Sequence, residues 1–157
     1  MKETRLYNIL FPLWGVYLMP IWWAIILPAN FIMDSLIFIV ALVILGVPGK
    51  KEKYKKCILR IWGYGFLSDI IGAAFLFVLL AFNYIDMKNA FNPLGSPTAF
   101  AFTSVGVILA GICIYYFNYN KVLILLDLED NKRKKIAMII AVLTAPYTMY
   151  LPSEFFF

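Results

Sequence analysis

The chain has 157 residues, of which 63% are hydrophobic and 15% are charged, and its mean hydropathy is +0.83. A soluble domain carries roughly 25% charged and 45–50% apolar residues. The apolar excess comes in blocks of about 20 residues, the length that crosses a hydrocarbon core. We therefore expect an all-α integral membrane protein, a compact bundle of about five transmembrane helices forming a single domain over residues 1–157.

Several chemistries are excluded by residue type. The chain contains no histidine, the commonest general base and metal ligand. Its two cysteines are too few and too isolated for a disulfide framework or a zinc site. No Walker-type phosphate loop occurs, and no stretch resembles a nameable family. We expect no catalytic residue, no metal site and no cofactor.

Apolar runs predict membrane spans at about 6–27, 31–47, 58–83, 99–118 and 136–150. Pro28-Ala29-Asn30 predicts a tight turn between the first two spans, with Asn30 as the N-cap of the second. The basic stretch 50–56 is expected to be a loop before the third span. The fifth span is short and contains Pro146, so both a crossing helix and a re-entrant one remain open.

The basic residues predict the topology. Five spans with the stretch 50–56 inside place 13 of the 14 basic residues on the inner side, leaving Lys88 outside. Cytoplasmic loops carry such a positive excess. We expect a cytoplasmic N-terminus and a location in a bacterial or archaeal cytoplasmic membrane. The net charge of +5 then reflects topology and not a nucleic-acid partner.

Asp69 is the first candidate for a functional site. It lies about 12–17 Å along the third span, near the membrane midplane. A charge there costs at least about 2.5–3.5 kcal/mol, so the side chain should face protein or water. Asp69 is either a proton or cation site or a hydrogen-bonded tie between helices, and the sequence leaves both open. Its helical neighbours Gly65, Gly72 and Ala73 are small, which permits close helix packing.

The fourth span carries a matching stripe of small residues. Thr103, Gly106 and Ala110 recur at helical spacing, together with Ala99 and Cys113. We expect this stripe to pack on the Gly65–Asp69–Gly72 face. Hydroxyls near Asp69 would come from Ser68, Thr103 and Ser104.

Asp34 is a second intramembrane carboxylate. It follows the expected Asn30 cap by one turn, where the helix macrodipole stabilises a negative charge. The functional alternative is an outer stop on a proton path to Asp69, with Asn30 on the same helical face as Asp34 and part of the same polar site. The two carboxylates are expected to differ in depth by roughly 10 Å, which argues against an aspartyl protease.

The basic stretch is expected to contact lipid. Each basic residue near an anionic headgroup contributes about 1 kcal/mol. The candidate residues are Lys50, Lys51, Lys53, Lys55 and Lys56.

Two functions remain open. The first is a non-enzymatic accessory or scaffold subunit whose small-residue stripes engage other membrane-protein subunits or a second copy of the chain. The second is a small proton- or cation-coupled transporter or channel that uses Asp69.

Overall fold

The computed structural model describes residues 12–153, apart from the side chain of Lys88. These residues form an all-α bundle without a β-strand, which confirms the predicted fold class. Its helices are α1 (Pro20–Ile44), α2 (Lys50–Ala81), the short α3 (Met87–Phe91), α4 (Pro97–Phe117) and α5 (Asp130–Thr144). The predicted cytoplasmic N-terminus, with the start of the first expected span, lies outside the described residues.

The expected turn at Pro28–Asn30 is wrong, because α1 runs through it as one helix from Pro20 to Ile44. Proline removes one helical hydrogen bond, but membrane helices tolerate it when neighbouring groups compensate. Trp62 of α2 contacts the backbone beside Pro28, since its indole N–H donates to the carbonyl of Leu27 at 2.9 Å. The carbonyl that Pro28 leaves without its helical donor is that of Ala24. Two expected spans, 6–27 and 31–47, are therefore replaced by a 3₁₀ segment (Leu13–Leu18) followed by a single helix.

The expected basic loop is also wrong, because Lys50 to Lys56 form the first turns of α2. The connection after α1 is only a few residues long and ends at Gly49, whose φ of 64° is easily adopted without a Cβ. Charged residues are good helix formers, so the helix extends well beyond the apolar run that predicted 58–83.

The segment after α2 is compact and rich in turns. Asp86 caps α3 by accepting the N–H of Asn89 at 2.8 Å. Ser96 caps α4, which occupies Pro97–Phe117 against the predicted 99–118. The helical path continues through a π-helical turn (Asn118–Val122) and a 3₁₀ turn (Leu123–Leu125). We call the continuous segment Pro97–Leu125 the α4 rod.

The last predicted span, 136–150, is two elements and not one. Helix α5 begins earlier, at Asp130, and ends at Thr144. Pro146 cannot continue a helix, and a separate 3₁₀ segment follows at Tyr147–Tyr150. The 15 residues of α5 measure about 22 Å, less than the roughly 30 Å of a hydrocarbon core.

Helices α2 and α4 pack through their small residues. A Cβ built on Gly72 would lie 2.8 Å from the carbonyl oxygen of Gly106 and 3.1 Å from Cβ of Ala110. A Cβ on Gly106 would in turn meet Leu76 at 3.1 Å. Backbones this close depend on glycine at both positions.

The apolar interior consists of two clusters at opposite ends of the bundle. One lies near the start of α2 and includes Phe38, Cys57, Ile61, Ile114, Val122 and Ile136. The other lies near the end of α2 and includes Trp14, Tyr17, Phe66, Leu76, Ala99 and Met149.

The outer surface of the bundle is apolar. Large side chains such as Ile21, Leu36 and Ile44 are exposed along α1, and similar residues are exposed on α2 and α4. Three rods, Pro20–Ile44, Lys50–Ala81 and Pro97–Leu125, are long and apolar enough to cross a bilayer. An apolar exterior around a helical bundle indicates a protein embedded in a membrane.

Candidate functional site

A cavity of about 240 Å³ lies between the two apolar clusters and is lined by both candidate carboxylates. Asp34 comes from α1 and Asp69 from α2, and each is only 4% exposed. Asn30 and Gly65 complete the α1–α2 side of the cavity. Two carboxyl groups thus share one cavity inside an apolar bundle.

Asp69 has an unpaired oxygen in this cavity. Its Oδ2 accepts a hydrogen bond from the side-chain amide of Asn30 at 3.1 Å. Its Oδ1 is buried and has no hydrogen-bond partner among the described residues. A buried carboxylate is stable only when it is neutralised by a proton or paired with a cation. Asp69 therefore lines the cavity with one carboxylate oxygen that no protein group satisfies.

Asp34 is packed directly on α2, where Gly65 has no side chain. A Cβ at Gly65 would lie 3.3 Å from Oδ2 of Asp34, so the carboxyl group rests against the bare backbone of that residue. Gly65 precedes Asp69 by four residues, about 6 Å along the helix. The expected depth difference of roughly 10 Å is too large, because it assumed a turn at Asn30. A difference in depth therefore no longer argues against chemistry in which the two carboxylates act together.

The third side of the cavity is the end of α5. Thr144, Ala145 and Pro146 line it, and they mark the point at which the helix stops. The last carbonyls of a helix lack intrahelical partners and carry the negative end of its dipole. One of these carbonyls, that of Val142, accepts a hydrogen bond from the hydroxyl of Tyr147 at 2.6 Å. The helix end adds to the negative potential that the two carboxylates create.

Two hydroxyl groups meet at the edge of the cavity. Tyr17, in the first 3₁₀ segment, and Thr148, in the last, are hydrogen-bonded to each other at 2.8 Å. Both residues line the cavity. The ring of Tyr17 also packs near Phe66, at a centroid distance of 6.5 Å.

The remaining polar candidates on α2 and α4 are satisfied elsewhere. Ser68 donates to the carbonyl of Tyr64 at 2.7 Å, and Ser104 donates to Phe100 and accepts from Tyr150. Thr103 is buried but is not among the cavity-lining residues. Ala73 lies in the apolar cluster near the end of α2. The predicted α2 face thus meets two neighbours, α1 at Gly65 and α4 at Gly72.

The basic residues gather at one end of the bundle, which we call the basic end. It consists of the start of α2, the end of the α4 rod and the start of α5, which meet where Lys56 donates to the carbonyl of Leu125 at 2.7 Å. Eleven of the twelve basic residues between 12 and 153 belong to these segments. Four lipid-contact candidates, Lys50, Lys51, Lys55 and Lys56, are exposed there, and Lys53 is half-buried.

A small ion-pair network fixes the start of α5. Lys134 and Arg133 contact the Asp130 carboxylate at 2.7 and 2.6 Å, and the Tyr119 hydroxyl donates to it at 2.6 Å. The hydrogen bond from Lys134, followed by that from Tyr119, lowers the pKa of Asp130 to about 2. This network holds α5 against the end of the α4 rod.

Within residues 12–153 no three His, Cys, Asp or Glu side chains are placed to hold a metal ion. Sequence reasoning found Asn30, Asp34 and Asp69 but missed Tyr17, Thr148 and the end of α5. The only sequence signal for the last of these is Pro146.

Comparison with protein families, curated proteins and solved structures finds no match for this chain.

Proposed function

We propose that the protein is a small multi-pass membrane transporter or channel that binds a monovalent cation or a proton at Asp34 and Asp69. The observation that carries this proposal is the shared cavity, which is lined by both carboxylates and by the C-terminal end of α5. Helix ends that stop inside a membrane protein and point at a charged site are a recurring feature of transporters. Intramembrane carboxylates are expensive to insert, which favours a functional role for them.

The proposed orientation places the basic end in the cytoplasm. The positive-inside rule supports it, because the exposed lysines of α2 and α5 lie together at that end. The same lysines are then available to anionic lipid headgroups of a bacterial or archaeal cytoplasmic membrane. In this orientation α2 runs outward and α4 returns inward, with α3 between them on the outer side.

The accessory-subunit hypothesis remains as the second candidate, with less support than the sequence suggested. It rests on the small size of the chain and on the lack of a catalytic constellation, with the small-residue stripes and the loops as the surface that engages a partner. Gly72, Gly106 and Ala110 instead contact one another within the chain. Gentle extraction followed by affinity purification tests this candidate, since a stoichiometric partner is its expected outcome.

The transport proposal is tested by flux into liposomes. Wild-type protein should carry protons, Na⁺ or K⁺, and Asp69→Asn and Asp34→Asn should reduce that flux to the level of empty liposomes. Asp127→Asn is the matched control, because Asp127 is an exposed carboxylate outside the cavity and its loss should leave flux unchanged. Flux that persists at the wild-type rate in Asp69→Asn, or wild-type protein that carries neither protons nor any monovalent cation, inorganic or organic, would overturn the proposal.

A further inference from the structure

The cavity opens through the side of the bundle, between α1 and α5. Met33, Leu143 and Tyr147 line the cavity and are yet 52%, 53% and 52% exposed. Thr148, which also lines the cavity, is exposed as well. These four side chains form its mouth, and three of them are largely apolar, in contrast to the carboxylates behind them.

The mouth lies at mid-depth along α1. Met33 is 13 residues from Pro20 and 11 from Ile44, or about 16–20 Å from either end of the helix. The surrounding surface of α1 consists of exposed apolar residues such as Ile32 and Leu36. When α1 crosses the bilayer, such a mouth faces hydrocarbon and not water. A hydrated inorganic ion does not approach from that direction, whereas an amphipathic cation dissolved in the bilayer does.

We propose that the ligand is a small amphipathic organic cation, an alkyl- or arylalkylammonium, which reaches the two carboxylates sideways between α1 and α5. This inference rests on the proposed function and specifies its cargo. An ammonium group would be paired with Asp69 Oδ1, which lacks a protein partner, and with Asp34. The apolar stem would lie against Met33 and Leu143 at the mouth.

The size and walls of the cavity fit this ligand class. A cavity of roughly 150 Å³ holds benzene, so about 240 Å³ accommodates about ten non-hydrogen atoms. The rings of Tyr17 and Tyr147, which also line the space, offer faces on which quaternary ammonium groups are stabilised. Pro146 adds a further apolar wall beside the unpaired end of α5.

The test is binding of benzyltrimethylammonium to the purified full-length protein, measured by isothermal titration calorimetry in detergent. Its charge is permanent, so proton uptake does not obscure the result. Neopentylbenzene, which has the same shape without the charge, is the matched ligand. Wild-type protein should bind the cation, and Asp69→Asn and Asp34→Asn should each weaken binding by about tenfold or more. The neutral isostere should not compete.

A second variant addresses the mouth itself. Leu143→Trp keeps both carboxylates and changes an exposed position, so it should fold even if Asp69→Asn does not. The bulkier indole side chain should lower the association rate constant of the cation by about tenfold or more. Asp127→Asn should associate with the cation at the wild-type rate. The inference is overturned if benzyltrimethylammonium does not bind, if the isostere competes equally, or if Leu143→Trp binds at the wild-type rate. Asp69-dependent flux of Na⁺ or protons without such binding would refute the ligand class and leave the proposed function standing.

Discussion

Replacing Gly72 by alanine should separate α2 from α4. The new Cβ would meet the Gly106 carbonyl oxygen at 2.8 Å and Ala110 Cβ at 3.1 Å. Both neighbours belong to a helix backbone or are attached directly to it, so they cannot rotate away as a flexible side chain would. Inserting a methyl group into such a contact costs about 1–3 kcal/mol. The gain in helix propensity from glycine to alanine, up to about 1 kcal/mol, opposes this cost.

Gly63 provides the control that isolates the packing cost. It lies on the same helix, is exposed, and has no atom within 4 Å of a built Cβ. Gly63→Ala receives the same propensity gain without the clash, so the two variants should differ by about 1–3 kcal/mol in the free energy of unfolding. Unfolding in SDS–detergent mixtures, followed by tryptophan fluorescence, measures that difference. Equal stability of Gly63→Ala and Gly72→Ala would show that α2 and α4 do not pack as described.

Two further predictions concern the polar ties of the bundle. Trp62→Phe should lose about 0.5–1.5 kcal/mol of stability, because phenylalanine keeps an apolar ring but cannot donate to the Leu27 carbonyl. Amide hydrogen exchange should also become faster around Pro28. Unchanged exchange there would contradict the role of this hydrogen bond. The depressed pKa of Asp130, about 2, means that its network stabilises the fold above pH 4 and is lost as pH falls through 2. Asp130→Asn should therefore unfold earlier than wild type at pH 6 and match it near pH 2, and an equal difference at both pH values would exclude the carboxylate as the cause.

Features that belong to a single helix were predictable from the sequence. The bounds of α4 follow from an apolar run with Ser96 and Pro97 at its start, and the basic end follows from the distribution of lysine and arginine. The burial of Asp69 follows from the cost of exposing a charge to hydrocarbon. Each of these is decided by a window of about 20 residues, within which composition and capping are informative.

Features that depend on distant partners were not predictable. Pro28-Ala29-Asn30 carries the turn signals of a soluble protein, but α1 continues through it and Trp62, 35 residues away from Leu27, contacts its backbone. The cavity combines Asp34, Gly65 and Thr144, and no local pattern indicates that α1 and α5 lie on the same side of α2. Asn30 illustrates the difference, since it was expected to cap a helix and instead donates to Asp69.

The pairing of Tyr17 with Thr148 has a consequence for the order in which the chain folds. The two hydroxyls are 131 residues apart in sequence, so their contact forms only after nearly the whole described chain has been synthesised. Helices α1, α2 and α4 can pack before that point, whereas contacts of high sequence separation form late. The Thr148 wall of the carboxylate cavity is thus made after α1, α2, α4 and α5, and the cavity lacks this wall until Thr148 has been synthesised.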